Sequence, residues 1–176
     1  MNENSPGIIR NVDEMGRIVI PGNFRKALHI KTGDPLEVGI SRESIILKKY
    51  SQFHNLEDTC SQVLRAFAKK SNASCIICDT ELVIAGRGIS ISAGARLSDD
   101  VKDLITRMES YFCKDVRTID LLGGNKYPVA SIAPVINSGK AFGAVILLRY
   151  RDIADWEFHR SEVLADFLSQ MIQDAQ

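Results

Sequence analysis

Four cysteines are the first candidates for chemistry in this sequence. Cys75 and Cys78 have the Cys-x-x-Cys spacing used in zinc sites and thiol redox centres. The residues around them, 74–79, are typical of a buried strand, and side chains three apart on a strand point to opposite faces. The two thiols would diverge, and Cys60 and Cys113 lie at no ligand spacing. We therefore expect four reduced, structural cysteines and neither a metal site nor a cofactor.

No other set of residues has the spacing of a catalytic centre. His29, His54 and His159 form no nucleophile or zinc pattern. The glycines between Gly86 and Gly94 lack the Lys-Ser/Thr pair that completes a phosphate loop. That stretch is predicted to be a surface loop, with a cover over a ligand pocket as the alternative. We predict a protein that is not an enzyme and has no catalytic residues.

Basic side chains near the N-terminus are the remaining candidates: Arg10, Arg17, Arg25 and Lys26. Residues 1–50 carry eight basic and six acidic groups, whereas the rest of the chain carries 14 basic and 16 acidic groups. Cations that share a face bind DNA phosphates by releasing counterions. On charge alone, an ordinary solvated surface is favoured over DNA binding, because Asp13 and Glu14 cancel part of the charge.

The elements that would position these cations are short. Strands are predicted at 8–12, 17–20, 35–40 and 44–49, with a tight turn at 13–16 and a helix at 22–29. The first strand–turn–strand brings Arg10 and Arg17 near each other. A unit of about 43 residues without a disulfide or a metal seldom buries enough apolar surface to fold alone. We therefore predict a dimer whose core is shared between two chains.

The remainder of the chain has the pattern of a larger α/β domain. Apolar spacing predicts a connecting helix at 55–70 and further helices near 98–109 and 155–173. Ser98 is the expected N-cap of the second helix, and residues 137–140 form a hairpin turn. Strands are predicted at 73–78, 82–85, 116–121, 128–136 and 141–148. This order predicts an α+β sandwich, with helices packed on an antiparallel sheet.

Composition is that of a globular protein, with 45% hydrophobic and 25% charged residues. No apolar run approaches the ~20 residues that span a bilayer. Residues 1–7 lack the basic and apolar regions of a signal peptide. We expect a cytoplasmic protein with no membrane partner.

The N-terminal sequence resembles a known family. Residues 7–21, Gly-Ile-Ile-Arg-Asn-Val-Asp-Glu-Met-Gly-Arg-Ile-Val-Ile-Pro, resemble the opening of the AbrB-like swapped-hairpin DNA-binding domain. The likeness continues through residues 24–28, 33–37 and 45–50. In that family two chains exchange hairpins to form one β-barrel. The resemblance implies a homodimer that contacts double-stranded DNA through four side chains: Arg10, Arg17, Arg25 and Lys26.

Two positions depart from the family pattern. Asn11 stands where relatives often have a second cation, and Lys26 stands where Arg is common. Lysine cannot form the bidentate contact that arginine forms. Both departures imply a lower affinity or a different preferred site.

The C-terminal part is similar to the GAF-type domain of AbrB-type sporulation regulators, on residues 74–79 and 134–145. The resemblance implies a module that senses a small-molecule effector or joins two dimers into a tetramer, and it does not identify the ligand. The predicted organisation is an AbrB-like domain at 1–52, a connecting helix at 53–72 and a GAF-like domain at 73–176.

These expectations define a DNA-binding transcription regulator, related to sporulation, with a GAF-like domain that senses an effector or drives oligomerisation. The alternative is an antitoxin of the AbrB fold that binds a toxin partner and its own promoter. That alternative predicts a disordered partner-binding tail, whereas residues 73–176 have the pattern of a folded domain.

Overall fold

The structure is a computed structural model in which residues 7–28, 30–51, 53, 56–71, 73–113, 119–149 and 153–174 are described. The chain divides into two compact units, Met1–Tyr50 and Ser51–Gln176. The expectations for His29 and His54 lie outside the described residues.

The described residues of the N-terminal unit form one short helix and one hairpin. The helix α1 spans Gly22–Ala27, and the antiparallel strands β1 and β2 span Leu36–Ser41 and Ser44–Lys49. Ser41 lies opposite Ser44, so residues 42 and 43 form a two-residue turn. Arg42 has a φ of +51°, as the turns that match strand twist require. The predicted hairpin is confirmed, whereas the predicted helix at 22–29 ends at Ala27.

The prediction of strands at 8–12 and 17–20 is wrong for the single chain, since neither segment is a strand. A strand needs a neighbour that pairs with its backbone groups. Within one chain these segments meet at their turn, where the N–H of Asp13 donates to the carbonyl of Arg17 at 3.0 Å. Ile9 and Val19 are 89% and 75% exposed, so the apolar side chains that would favour pairing have nothing to pack against.

The C-terminal unit is an antiparallel sheet covered by helices. Its elements are α2 at Glu57–Ala68, β3 at Ser74–Asp79, β4 at Val83–Arg87, α3 at Asp99–Thr106, β5 at Tyr111–Phe112, β6 at Val129–Asn137, β7 at Lys140–Leu148 and α4 at Asp155–Asp174. Among the described residues the strands form a five-stranded sheet in the order β4-β3-β7-β6-β5. The mixed α+β class is confirmed.

Both faces of this sheet are buried. On one face α2 and α4 pack through Leu64 and Leu168, together with Cys75 and Ile77 of β3. On the other face α3 and the loops pack against a second set that is headed by Ile76. Burial on both sides explains why β3 is apolar along nearly its whole length.

The start of α3 follows the sequence expectation. The Oγ of Ser98 accepts the N–H of Val101 at 3.4 Å and donates to the carbonyl of Asp120 at 2.7 Å. Ser98 is therefore the N-cap, as predicted, and it also ties the helix to the loop that contains Asp120.

The strand predicted at 116–121 is not found where the structure describes the chain. Residues 116–118 lie outside the described residues, and beyond them Asp120 makes an isolated bridge with Pro128. On the side of β6 that faces away from β7, the neighbour is instead the short strand β5, whose Tyr111 lies opposite Ile132. Asp120 accepts hydrogen bonds from the N–H groups of Leu122 and Tyr127, which holds this segment as a turn.

The second half of β6 is a sheet edge, because the pairing with β5 covers only Ser131 and Ile132. Pro134 has no N–H to offer along that edge. The N–H of Ile136 donates to the Oγ of Ser169 on α4 at 3.0 Å. Two of the backbone positions along this edge therefore offer no free donor.

Candidate nucleic-acid interface

The turn at residues 13–17 fixes the first of the predicted contact residues. The Oδ1 of Asp13 accepts the N–H groups of Met15 and Arg17, at 3.0 and 2.8 Å. Its Oδ2 accepts the Nε–H of Arg17 at 2.8 Å. Gly16 closes the turn with a φ of +76°, a conformation that glycine adopts without strain.

The carboxylate at this turn is held in its charged form. The backbone hydrogen bond from Arg17, and next its side-chain hydrogen bond, lower the pKa of Asp13 from its ordinary value of 3.8. The ion pair lies at the surface, with the Arg17 side chain 74% exposed. Exposed pairs add little to stability, so this contact matters for where the guanidinium lies.

Two more of the predicted contact residues lie together on α1. Pro21 precedes this helix, and its carbonyl accepts the N–H of Arg25 at 3.0 Å. Arg25 and Lys26 occupy the last turn, where the helix dipole favours cations. Both residues are exposed.

Arg10 precedes the turn and donates to the carbonyl of Ile9 at 3.5 Å. Each of the four cations is therefore placed at the surface of the N-terminal unit. The described contacts join Arg17 to Asp13 and do not bring the four cations into one cluster. Counting charges did not reveal the hydrogen bonds between Asp13 and Arg17. The sequence does contain a signal for them, because an aspartate stands four residues before an arginine, with Gly16 between the two.

The N-terminal unit also presents an apolar surface. None of the described residues from 7 to 50 whose exposure is known is buried. Large apolar side chains are exposed on both strands of its hairpin, among them Val38 at 65%, Ile40 at 85% and Ile45 at 66%. Such a surface on a small unit is typical of a protein interface.

Three of the four cysteines, Cys60, Cys75 and Cys78, have the buried surroundings expected of structural thiols. Cys75 packs on the α2–α4 face of the sheet and Cys78 on the α3 face, which confirms that the two thiols diverge. Burial raises the pKa of both thiols well above the ordinary value, and raises that of Cys60 to about 12. These three side chains are therefore protonated at neutral pH and are poor ligands and nucleophiles.

The other candidate positions of the C-terminal unit are one histidine and one glycine-containing stretch. His159 is exposed on α4, as predicted. The chain after Gly86 folds back over the sheet, and its Ile89 and Ile91 pack against the α3 face. No helix among the described residues is long and apolar enough to cross a membrane.

Comparisons with known proteins identify the N-terminal unit first. Residues 9–53 match the family model described as antidote-toxin recognition MazE, bacterial antitoxin. The chain is 54% identical over 46 residues to the transition state regulatory protein AbrB of Bacillus subtilis (strain 168). The aligned residues make up 26% of this chain and 48% of AbrB. The chain thus belongs to the class of proteins that have a MazE/AbrB-type N-terminal domain.

The C-terminal unit makes the assignment more specific. Residues 55–173 match the family described as stage V sporulation protein T C-terminal, transcription factor, so the chain belongs to that family of transcription factors. Stage V sporulation protein T of Bacillus subtilis (strain 168) is 30% identical over 176 aligned residues, covering 95% of this chain and 97% of that protein. The structure of a methyl-accepting chemotaxis protein fragment, residues 122 to 287, matches 70% of this chain and 96% of its own with a TM-score of 0.44 and 18% identity.

Proposed function

We propose that this protein regulates transcription by binding double-stranded DNA through a surface that two copies of its N-terminal unit build together. The observation that carries this proposal is that no described apolar side chain of that unit is buried and most are exposed, including Ile9 and Ile40. A second chain would cover this surface and supply the strand partners that residues 8–12 and 17–20 lack. Residues Arg10, Arg17, Arg25 and Lys26 would then be repeated about a two-fold axis.

Two-fold repetition accounts for DNA binding by a chain with no net charge. A dimer presents eight cations on one unit, and each phosphate that they neutralise releases counterions. The surplus of two acidic groups in the remainder of the chain is small, and salt screens the repulsion between exposed charges.

The C-terminal unit is proposed to be a GAF-like module that joins two dimers into a tetramer or responds to a small-molecule effector. Support for assembly comes from α4, on which Trp156, Val163 and Phe167 are 49%, 67% and 48% exposed. These residues are seven and four positions apart, so they share one helical face. Another copy of α4 is the proposed occupant of that face. By its relatives, the regulated process is proposed to be sporulation.

The test of DNA binding is the variant Arg17→Ala in the full-length protein. It should bind DNA more weakly, and its plot of log affinity against log salt concentration should be shallower, because the variant brings one positive charge fewer per chain to the DNA. Fluorescence anisotropy over a salt titration measures both quantities. Arg107→Ala removes an exposed cation beyond α3 and should bind as the unaltered protein does. An unchanged affinity and slope for Arg17→Ala would contradict the proposed contact.

The match of residues 9–53 to an antitoxin family supports a second candidate, in which the chain binds a toxin and its own promoter. That candidate requires a partner-binding tail with little structure of its own. The described residues from 73 to 174 instead form a sheet with two buried faces. We therefore favour the transcription regulator.

A further inference from the structure

The turn at residues 13–17 connects the backbone rigidly to one guanidinium group. Two backbone N–H groups fix one carboxylate oxygen of Asp13, and the other oxygen accepts the Nε–H of Arg17. A carboxylate that is itself anchored at 2.8 and 3.0 Å restricts the orientation of the side chain it holds. Most arginines at a protein surface have no such restriction.

The contact leaves most of the guanidinium available. Arginine has five N–H donors in a planar fork, and a single bond at Nε leaves the terminal Nη1–Nη2 edge for a bidentate acceptor. Within the described part of the chain, Asp13 is the side chain that pairs with Arg17. With that side chain 74% exposed, the terminal edge can meet an acceptor from another molecule.

Resting on the DNA-binding role proposed for Arg17, we propose that Asp13 determines sequence specificity by presenting the Nη1–Nη2 edge in one orientation. A tethered fork can bond the paired acceptors of a base edge, such as O6 and N7 of guanine, only where they come into register. A free arginine reaches any nearby phosphate. The charge of Asp13 also repels phosphates, which weakens binding to every sequence alike and leaves the contact with the base edge to decide between them.

The effect of the charge of Asp13 can be separated from the effect of its bond to Arg17, because the neighbouring residue provides a matched control. Glu14 is the next residue, is exposed and carries the same charge, and no ion pair joins it to another described residue. Asp13→Asn and Glu14→Gln each remove one negative charge at the same turn. An asparagine oxygen can still accept the two backbone N–H groups, so Asp13→Asn keeps the turn and loses the ion pair.

The experiment measures two affinities for each full-length variant. One duplex is selected by the unaltered protein from a random-sequence library, and the other is a shuffled duplex of the same composition. Both substitutions should tighten binding to the shuffled duplex, because each removes a repulsive charge. Only Asp13→Asn should lower the ratio of selected to shuffled affinity, by about tenfold, the effect of one bidentate base contact.

A second arm covers the case in which Asp13→Asn fails to fold, judged by circular dichroism. Arg17→Lys keeps the charge and Asp13 but has no fork, so it should lower the ratio to a similar extent. If Asp13→Asn folds, adding it to Arg17→Lys should give no further reduction, since both act on one contact.

The outcomes separate this inference from the proposed function. If Asp13→Asn and Glu14→Gln keep the same ratio while Arg17→Ala still weakens binding, the inference is overturned and DNA binding through Arg17 stands. If Arg17→Lys keeps the full ratio, or if its effect adds to that of Asp13→Asn, the inference is also overturned. If Arg17→Ala binds both duplexes as the unaltered protein does, the proposed contact fails as well.

Discussion

At the scale of single residues, position matters more than charge in the N-terminal unit. Asp13 cancels a charge in any count of the sequence, yet in the structure it receives three hydrogen bonds and sets the direction of Arg17. The four cations were predicted from a family resemblance, which compares residue types at positions. The hydrogen bonds between Asp13 and Arg17 depend on the geometry of side chains at a turn. A count of charges gives no information about that geometry.

The carboxyl of Asp13 should titrate with a midpoint below 3.8, because hydrogen bonds to Arg17 favour its charged form. A depressed pKa stabilises the folded turn fully above the ordinary value, and that stabilisation is lost as the pH falls through the lower folded value. Carbon-detected NMR of the side-chain carboxyl measures the midpoint. In Arg17→Ala the midpoint should rise only part of the way, since the larger backbone hydrogen bond remains. A midpoint of 3.8 or higher in the unaltered protein would contradict the geometry of this turn.

At the scale of elements, the sequence predicted best those segments that bury a face within their own chain. The helices α2 and α4 and the strands β3, β6 and β7 lie within a few residues of their predicted bounds. Their apolar residues recur with the period of the element because they pack into a core that is formed by the same chain. The segments 8–12 and 17–20 have strand-like residues, but nothing in one chain pairs with them. β5 has two residues, which is too short for a periodic pattern to reveal.

The packing of β7 on β3 requires a glycine at position 143. A Cβ there would overlap the carbonyl oxygen of Cys78, which is backbone and cannot turn aside. Gly143→Ala should therefore lower the free energy of unfolding by about 3 kcal/mol, the upper part of the usual range for overpacking. Gly86→Ala would meet the flexible Cδ1 of Ile76 at 2.9 Å, so its destabilisation should be smaller, about 1 kcal/mol.

Urea denaturation of the two variants tests this comparison, because both substitutions add one methyl group to the same sheet. Equal destabilisation, or a larger effect for Gly86→Ala, would mean that β7 can move away from β3 at Gly143.

At the scale of the whole molecule, the two units differ in how complete they are. The C-terminal unit has a core on each face of its sheet, whereas the described N-terminal residues have no core of their own. Family membership gives the class of function, and the exposed surfaces suggest how copies assemble. The sequence indicated the first surface through unit size, whereas the apolar positions of α4 did not distinguish those that it buries, such as Leu168, from those that it exposes, such as Val163.

Assembly through α4 should be sensitive to Val163, which is 67% exposed at the centre of its apolar face. Val163→Glu places a charge where another copy is proposed to pack, and it should convert tetramers to dimers. Gln173→Glu adds the same charge to an exposed position about 100° around the helix from that face, and it should leave the assembly unchanged. Light scattering coupled to size-exclusion chromatography gives the molar mass of each. A dimeric unaltered protein, or a tetrameric Val163→Glu variant, would contradict assembly through this face.

The edge of β6, where two backbone positions offer no free donor, affects how readily this protein aggregates at high concentration. An open strand edge can template the addition of strands from other molecules, which is a common start of aggregation. Here Pro134 and the bond from Ile136 to Ser169 remove donors from the half of β6 that β5 does not cover. Chains brought together through their N-terminal units or along α4 would therefore be discouraged from fusing their C-terminal sheets. The protein can thus reach a high local concentration with less risk of fibril growth.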